Sequence, residues 1–306
     1  MKTAHLFPGQ GAQTAGMGKD IAAAFARADE LYETANSVVG YDLKRLCFEG
    51  PAEKLSTTTV SQPAIFVTSA AILEVLSESL EKADVTAGLS LGEYTALYAA
   101  GLIGFEDAVK LVQKRGEAMQ RASDATKGAM VGIIGLDEDK VRQICDEARG
   151  EDILEGVNFN CPGQVVISGD IEACERAETL AEKYGAIKAV RLDVAGAFHT
   201  KMMSSAAEAL GQALNEVEIK EPGEVKVIAN ITGEYYTSAD DIRNGLTKQL
   251  TQPILWQQCM ERLLSEGVEN FYEIGPGRVL TGLMKRINRK VKVKNMSTLD
   301  AVQELV

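Results

Sequence analysis

One short stretch of this chain commits it to a strand that turns sharply into a helix. Gly88, Leu89, Ser90, Leu91 and Gly92 follow the pattern G-x-S-x-G, a serine between two glycines. The glycines keep side chains out of a tight turn. Val85 and Thr86 before the turn favour extended chain, and Ala96, Leu97, Ala99 and Ala100 after it favour helix. By itself the pattern has two readings: a nucleophile elbow that presents Ser90, or a glycine-rich turn whose serine merely caps the next helix.

The chain around the turn reads as a large α/β protein. From Phe105 to about Ser123 apolar residues recur at helical spacing, and long helical patterns include one through Gln62 in "QPAIFVTSAAILEVL". Strand patterns stand at residues 4–7, in "VKVIANIT" and in "VENFYEIG", with helices near 239–250 and 256–265. Strands alternating with helices imply a mainly parallel sheet covered on both faces. Residues 126–194 differ in character. There "AMVGIIGL", "DEDKVRQICDEA", "ILEGVNF", "QVVISG", "DIEACERAETLAEKYG" and "IKAVRLD" give the order β-α-β-β-α-β of a ferredoxin-like unit, with Asp170 as the expected N-cap of its second helix. The expected organisation is a catalytic core of residues 1–125 plus 195–306 with a ferredoxin-like subdomain, 126–194, inserted in it.

Composition narrows the function. The 306 residues hold five cysteines, widely spread and without a C-x-x-C pair, and only two histidines, so metal sites and structural disulfides are not expected. The cysteines read as buried apolar residues. No positively charged start leads into a long apolar run, and no stretch reads as a membrane span, so a cytoplasmic protein is the expectation. A net charge of −12 argues against nucleic-acid binding. The charge is uneven, however: residues 275–299 contain no acid and carry Arg278, Lys285, Arg286, Arg289, Lys290, Lys292 and Lys294. This is either a solvated surface or a face for an acidic partner.

A serine nucleophile needs a base. His5 lies inside the first strand pattern, where a packed structural role is expected, whereas His199 follows the strand pattern "IKAVRLD" in the turn "AGAFHTKMM". Arg115 falls on the apolar face of the 105–123 helix, together with Ala108, Leu111, Val112, Ala118, Met119 and Ala122. A buried arginine demands an anion. That anion is either an internal Asp or Glu, or a carboxylate on a substrate.

Taken together, "FPGQGAQ", "GLSLGEY", "RGEAMQ", "GAFH", "QLTQPILW" and "EIGPGRVLTGL" resemble, in order and approximate spacing, the malonyl-CoA:acyl carrier protein transacylases of fatty acid synthesis. The resemblance spans nearly the whole chain. It implies an α/β-hydrolase-like core and a ferredoxin-like insertion. It also implies Ser90 as nucleophile and His199 as base of a Ser-His dyad, with Gln249 offering an oxygen that orients His199. The backbone N–H groups of Gln10 and Leu91 would form the oxyanion hole, and Arg115 would clasp the malonyl carboxylate. Asn160 matches an asparagine near the family's site, and Phe198 resembles its malonyl-selecting pattern. The partners implied are malonyl-CoA and an acidic acyl carrier protein, docking near Lys285, Arg286, Arg289 and Lys290, with no metal or cofactor.

One position departs from the family: Leu89 stands where a histidine often precedes the nucleophile. A dyad built on His199 does not require that histidine. The rival readings are a serine esterase or thioesterase, a discrete polyketide acyltransferase, and a non-catalytic scaffold. Against the first, the chain has no HGGG-type oxyanion stretch.

Overall fold

The computed structural model describes all residues, Met1–Val306. Its nine strands are β1 (Lys2–Phe7), β2 (Val85–Gly88), β3 (Gly128–Ile134), β4 (Leu154–Cys161), β5 (Gln164–Asp170), β6 (Lys188–Arg191), β7 (Lys226–Val227), β8 (Val268–Ile274) and β9 (Val293–Met296). Five make one sheet in the order β7-β2-β1-β8-β9, and every pairing in it is parallel. Central β1 is buried from Thr3 onward, as a strand covered by helices on both faces must be. The other four form an antiparallel sheet in the order β4-β5-β3-β6. Helices Glu138–Arg149 and Ile171–Lys183 pack their apolar stripes on it, and Val141, Ile144, Cys145, Ala173, Cys174 and Ala177 join Val131, Ile133 and Ile167 in a separate core.

The antiparallel sheet is tied to the parallel one. Ile254 bridges β4 like an extra strand, donating to the Val157 carbonyl (2.7 Å) and accepting from the Phe159 N–H (2.9 Å). Arg286 donates to the carbonyls of Pro162 (3.1 Å) and Gly163 (3.2 Å) in the turn between β4 and β5. Both ties fix β4 and the β4–β5 turn against the rest of the chain.

Three local expectations differ from the structure. The strand pattern at "VKVIANIT" yields only two paired residues, because the chain turns back at Ala229, whose N–H donates to the Glu234 carbonyl (2.8 Å). Asp170 does occupy the N-cap position, but its carboxylate accepts from the Ile153 N–H (2.7 Å) and pins a neighbouring loop instead of its own helix. Contrary to the reading that no stretch is apolar enough, helix Thr58–Leu76 has the length and composition of a membrane span. It is apolar all round because it runs through the middle of the main core, its spanning window 83% buried.

The elbow depends on backbones approaching too closely for any side chain. A Cβ on Gly92 would lie 2.2 Å from the Phe7 carbonyl oxygen, and one on Gly88 would lie 1.9 Å from the Gly92 backbone. Gly92→Ala is therefore expected to lower stability by about 1–3 kcal/mol or more, as overpacking against rigid backbone does. Thermal unfolding checks this, and an unchanged melting temperature would show that the turn relaxes freely.

Candidate active site

Ser90 sits on the strand-to-helix turn with φ +50°, and His199 lies in its own loop with φ +63°. These are the only two non-glycine residues of the chain in left-handed backbone. Such conformations persist only where the surroundings fix them. Here the surroundings are hydrogen bonds. The Ser90 N–H donates to Asn230 Oδ1 (2.7 Å), Asn230 Nδ2 donates to the Gly88 carbonyl (2.8 Å), and Gln249 Nε2 donates to the Ser90 carbonyl (3.1 Å).

Ser90 Oγ is 3.0 Å from His199 Nε2. The other ring nitrogen, Nδ1, is 2.6 Å from the backbone carbonyl of Gln249. A carbonyl only accepts, so the proton resides on Nδ1 and leaves Nε2 free to accept from the serine hydroxyl. The oxygen that orients His199 is thus the main-chain oxygen of Gln249, not its side chain. Burial pushes the imidazole pKa down to about 4, with the Gln249 bond opposing and the Arg115 charge assisting. His199 is therefore neutral, and competent as a base, throughout the physiological range.

Arg115 comes from the inner face of helix Phe105–Ala125 and is buried. Its Nη1 donates to Gln62 Oε1 (2.7 Å), and its Nη2 donates to Gln249 Oε1 (2.9 Å) and Ser90 Oγ (3.0 Å). The guanidinium also lies 5.5 Å from the Tyr94 ring centroid. None of these partners is a carboxylate. The internal ion pair that the sequence left open is absent, and Arg115 Nε has no hydrogen-bond partner at all. A buried cation with an unused donor one hydrogen bond from Ser90 suits an anionic ligand.

A cavity of about 400 Å³ opens over Ser90 and His199, lined among others by Gln10, Leu89, Met119, Met130, Asn158, Leu192 and Phe198. Its wall joins the loops that follow β1 and β2, with Gln10 and Leu89, to the antiparallel sheet, with Met130 on β3 and Asn158 on β4. The backbone N–H groups of Gln10 and Leu91 find no acceptor within the chain, leaving two donors beside the serine. Asn160 does not line the cavity; Asn158, two residues earlier, does, and the side-chain oxygens of both lack partners. Of the four basic residues near the C-terminus, Lys285, Arg289 and Lys290 are exposed, while Arg286, also exposed, is engaged with the β4–β5 turn.

Sequence reasoning missed four residues that build this site: Gln62, Glu93, Asn158 and Asn230. Glu93 is fully buried, accepting from Gln249 Nε2 (2.7 Å), the Asn230 N–H (3.3 Å) and the Tyr236 hydroxyl. A signal existed for two of them. Gln62 and Glu93 are polar residues on helices that are otherwise apolar around them, the same anomaly that marked Arg115.

An elbow serine facing a neutral imidazole, with unpaired N–H groups and a buried cation close by, is a layout suited to acyl transfer. Residues 4–304 match the model of the acyl transferase domain, and the chain belongs to that family. Within it, the chain is similar to the malonyl CoA-acyl carrier protein transacylase of Bacillus subtilis, 43% identical over 99% of this chain and 95% of the relative. Among solved structures, the malonyl CoA-acyl carrier protein transacylase of Coxiella burnetii superposes with a TM-score of 0.96 at 37% identity, covering 99% of this chain and 96% of that one. A malonyl-transacylase solved in complex with a type II PKS acyl-carrier protein gives 0.96 at 40% identity, covering 100% and 99%.

With only two histidines in the chain, ring-nitrogen NMR reads His199 directly. The Nδ1-protonated neutral form is expected to persist down to about pH 5, since the folded pKa lies near 4. A titration midpoint near the ordinary histidine value of about 6.5 would contradict it.

Proposed function

We propose that this protein moves a malonyl group from malonyl-CoA to the phosphopantetheine thiol of an acyl carrier protein, through a malonyl ester on Ser90. The observation that carries the reading is Arg115, a buried guanidinium without a carboxylate partner, 3.0 Å from the nucleophile. A hydrolase acting on neutral esters has no use for such a charge, which is costly to bury.

In the first half-reaction Ser90 Oγ attacks the thioester carbonyl as its proton passes to His199 Nε2. The oxyanion takes hydrogen bonds from the Gln10 and Leu91 N–H groups. The C–S bond then breaks, the proton on His199 goes to the departing thiolate, and coenzyme A leaves. In the second, the carrier's thiol gives its proton to His199 and attacks the malonyl ester. The ester C–O bond breaks and Ser90 recovers the proton. Arg115 holds the malonyl carboxylate throughout, and Phe198 and Met119 bound the space beside it. The steps need no metal or redox cofactor.

The carrier partner is itself acidic, and this chain has a net charge of −12. Exposed Lys285, Arg289 and Lys290 offer the positive face that would offset the long-range repulsion. Arg286 serves the β4–β5 turn and is left out of this face.

Three tests follow from this scheme. Ser90→Ala is expected to abolish acylation while the protein stays folded. Arg115→Ala is expected to weaken malonyl transfer by about 2–5 kcal/mol, the range for truncating one partner of a buried charge pair, and to leave acetyl transfer nearly intact. Equal losses for the two acyl groups, followed by quenched flow, would make Arg115 a structural residue. Lys285, Arg289 and Lys290 exchanged together for glutamate should slow the second half-reaction and flatten its salt dependence, with malonyl loading unchanged. An unaltered second step would remove this face as the docking site.

A further inference from the structure

The two buried charges of the site do not touch. Arg115 reaches only neutral groups, and Glu93, equally buried, accepts only from Gln249, Asn230 and Tyr236. Gln249 stands between them. Its Oε1 accepts from Arg115 Nη2 at 2.9 Å, and its Nε2 donates to Glu93 Oε2 at 2.7 Å. The amide dipole is thus oriented by both charges at once, its oxygen toward the cation and its nitrogen toward the anion.

A direct Arg–Glu bridge would satisfy both charges better, but it would also fill the guanidinium fork. The glutamine spacer avoids that. It leaves Arg115 Nε unpartnered and keeps an anion near enough to favour the charged guanidinium. Burial pushes the Glu93 carboxyl up to about 7, while bonds from Tyr236, Gln249 and Asn230 and the charge of Arg115 pull it down. Tyr94, Tyr236 and Cys259 are the other titratable groups that sense it.

We infer that Glu93 is the remote counter-charge of Arg115, coupled through Gln249, and that it limits how tightly the site grips a carboxylate-bearing acyl group. The inference rests on the reading of Arg115 as the clasp for the malonyl carboxylate. Glu93 is a positioning residue and touches no reacting atom. Its negative charge and the substrate's compete for one guanidinium, so each weakens the other's hold. A transferase that must release its loaded acyl group to a second acceptor benefits from such a limit, because binding that is too tight in the intermediate slows the second half-reaction.

The sign of the effect separates this role from a scaffolding one. Glu93→Gln keeps an acceptor for Gln249 and Asn230, and its new amide can donate to the Tyr236 hydroxyl, so the network survives without the charge. In a Ser90→Ala background, which cannot be acylated, calorimetry at pH 8 reads the affinities for malonyl-CoA and acetyl-CoA. Glu93→Gln is expected to tighten malonyl-CoA by about three- to tenfold, the scale of like-charge coupling in a polar interior, and to leave acetyl-CoA unchanged. It is also expected to lower the melting temperature, because Arg115 then lacks its only nearby anion.

Weaker malonyl-CoA binding, or equal changes for both thioesters, would overturn the inference. Should Glu93→Gln fail to fold, Tyr236→Phe removes one donor, favours the protonated carboxyl and must shift malonyl-CoA in the same direction; a shift the other way, or none, overturns it as well. If the Ser90→Ala parent itself shows no preference for malonyl-CoA over acetyl-CoA, the reading of Arg115 as a carboxylate clasp fails instead.

Discussion

Gln249 is the residue through which the parts of the site are held to one another. Its backbone carbonyl accepts from the Nδ1–H of His199, its side-chain oxygen accepts from Arg115, and its amide nitrogen donates both to the Ser90 carbonyl and to Glu93. One residue therefore sets the tautomer of His199, steadies the strained turn that carries Ser90 and separates the two buried charges. It lies at the end of helix Ala239–Gln249, which is packed into the main core through Ile242 and Leu246. Its position is fixed by burial of that helix, and the geometry of the site follows.

Ser90 and His199, the proposed nucleophile and base, come from different parts of the fold, and both sit in backbone conformations that cost energy. Ser90 tops a strand next to the centre of the parallel sheet, and His199 lies just after the segment that forms the antiparallel sheet. Gln249 bonds both of them where they meet at 3.0 Å, while the Ile254 bridge to β4 and the bonds of Arg286 to the β4–β5 turn tie the antiparallel sheet to the rest of the core. The second sheet also supplies Met130 and Asn158 to the cavity. It is a wall of the active site as well as an appendage, which explains why so much sequence intervenes between serine and histidine.

The elements with strong periodicity were legible in the sequence, and those whose form depends on distant partners were not. Helix Phe105–Ala125 announced both itself and Arg115, since a charged residue on an apolar stripe cannot be hidden by local context. The order of strands and helices in 126–194 was equally plain, because alternating and 3.6-residue patterns are local properties. By contrast, "VKVIANIT" reads as a strand but turns after two paired residues, and the reason lies elsewhere: Asn230 is required beneath the elbow, where it bonds Ser90 and Gly88. The choice of Asn158 over Asn160 at the cavity wall depends on which residues face the site across a register shift between β4 and β5. That Arg115 has no carboxylate partner could not be read either, for the chain has 44 acidic residues and sequence does not say which of them stay away.

The proposed mechanism makes a covalent acyl-enzyme on one particular oxygen, and that species can be weighed. Intact-mass spectrometry of the protein after brief exposure to malonyl-CoA, with peptide mapping of the adduct and a chase with holo acyl carrier protein, tests the claim most directly. A single malonyl group on Ser90, lost to the carrier's thiol within the chase, is the expected result. No adduct, an adduct on another residue, or a Ser90 ester that only water removes would contradict it.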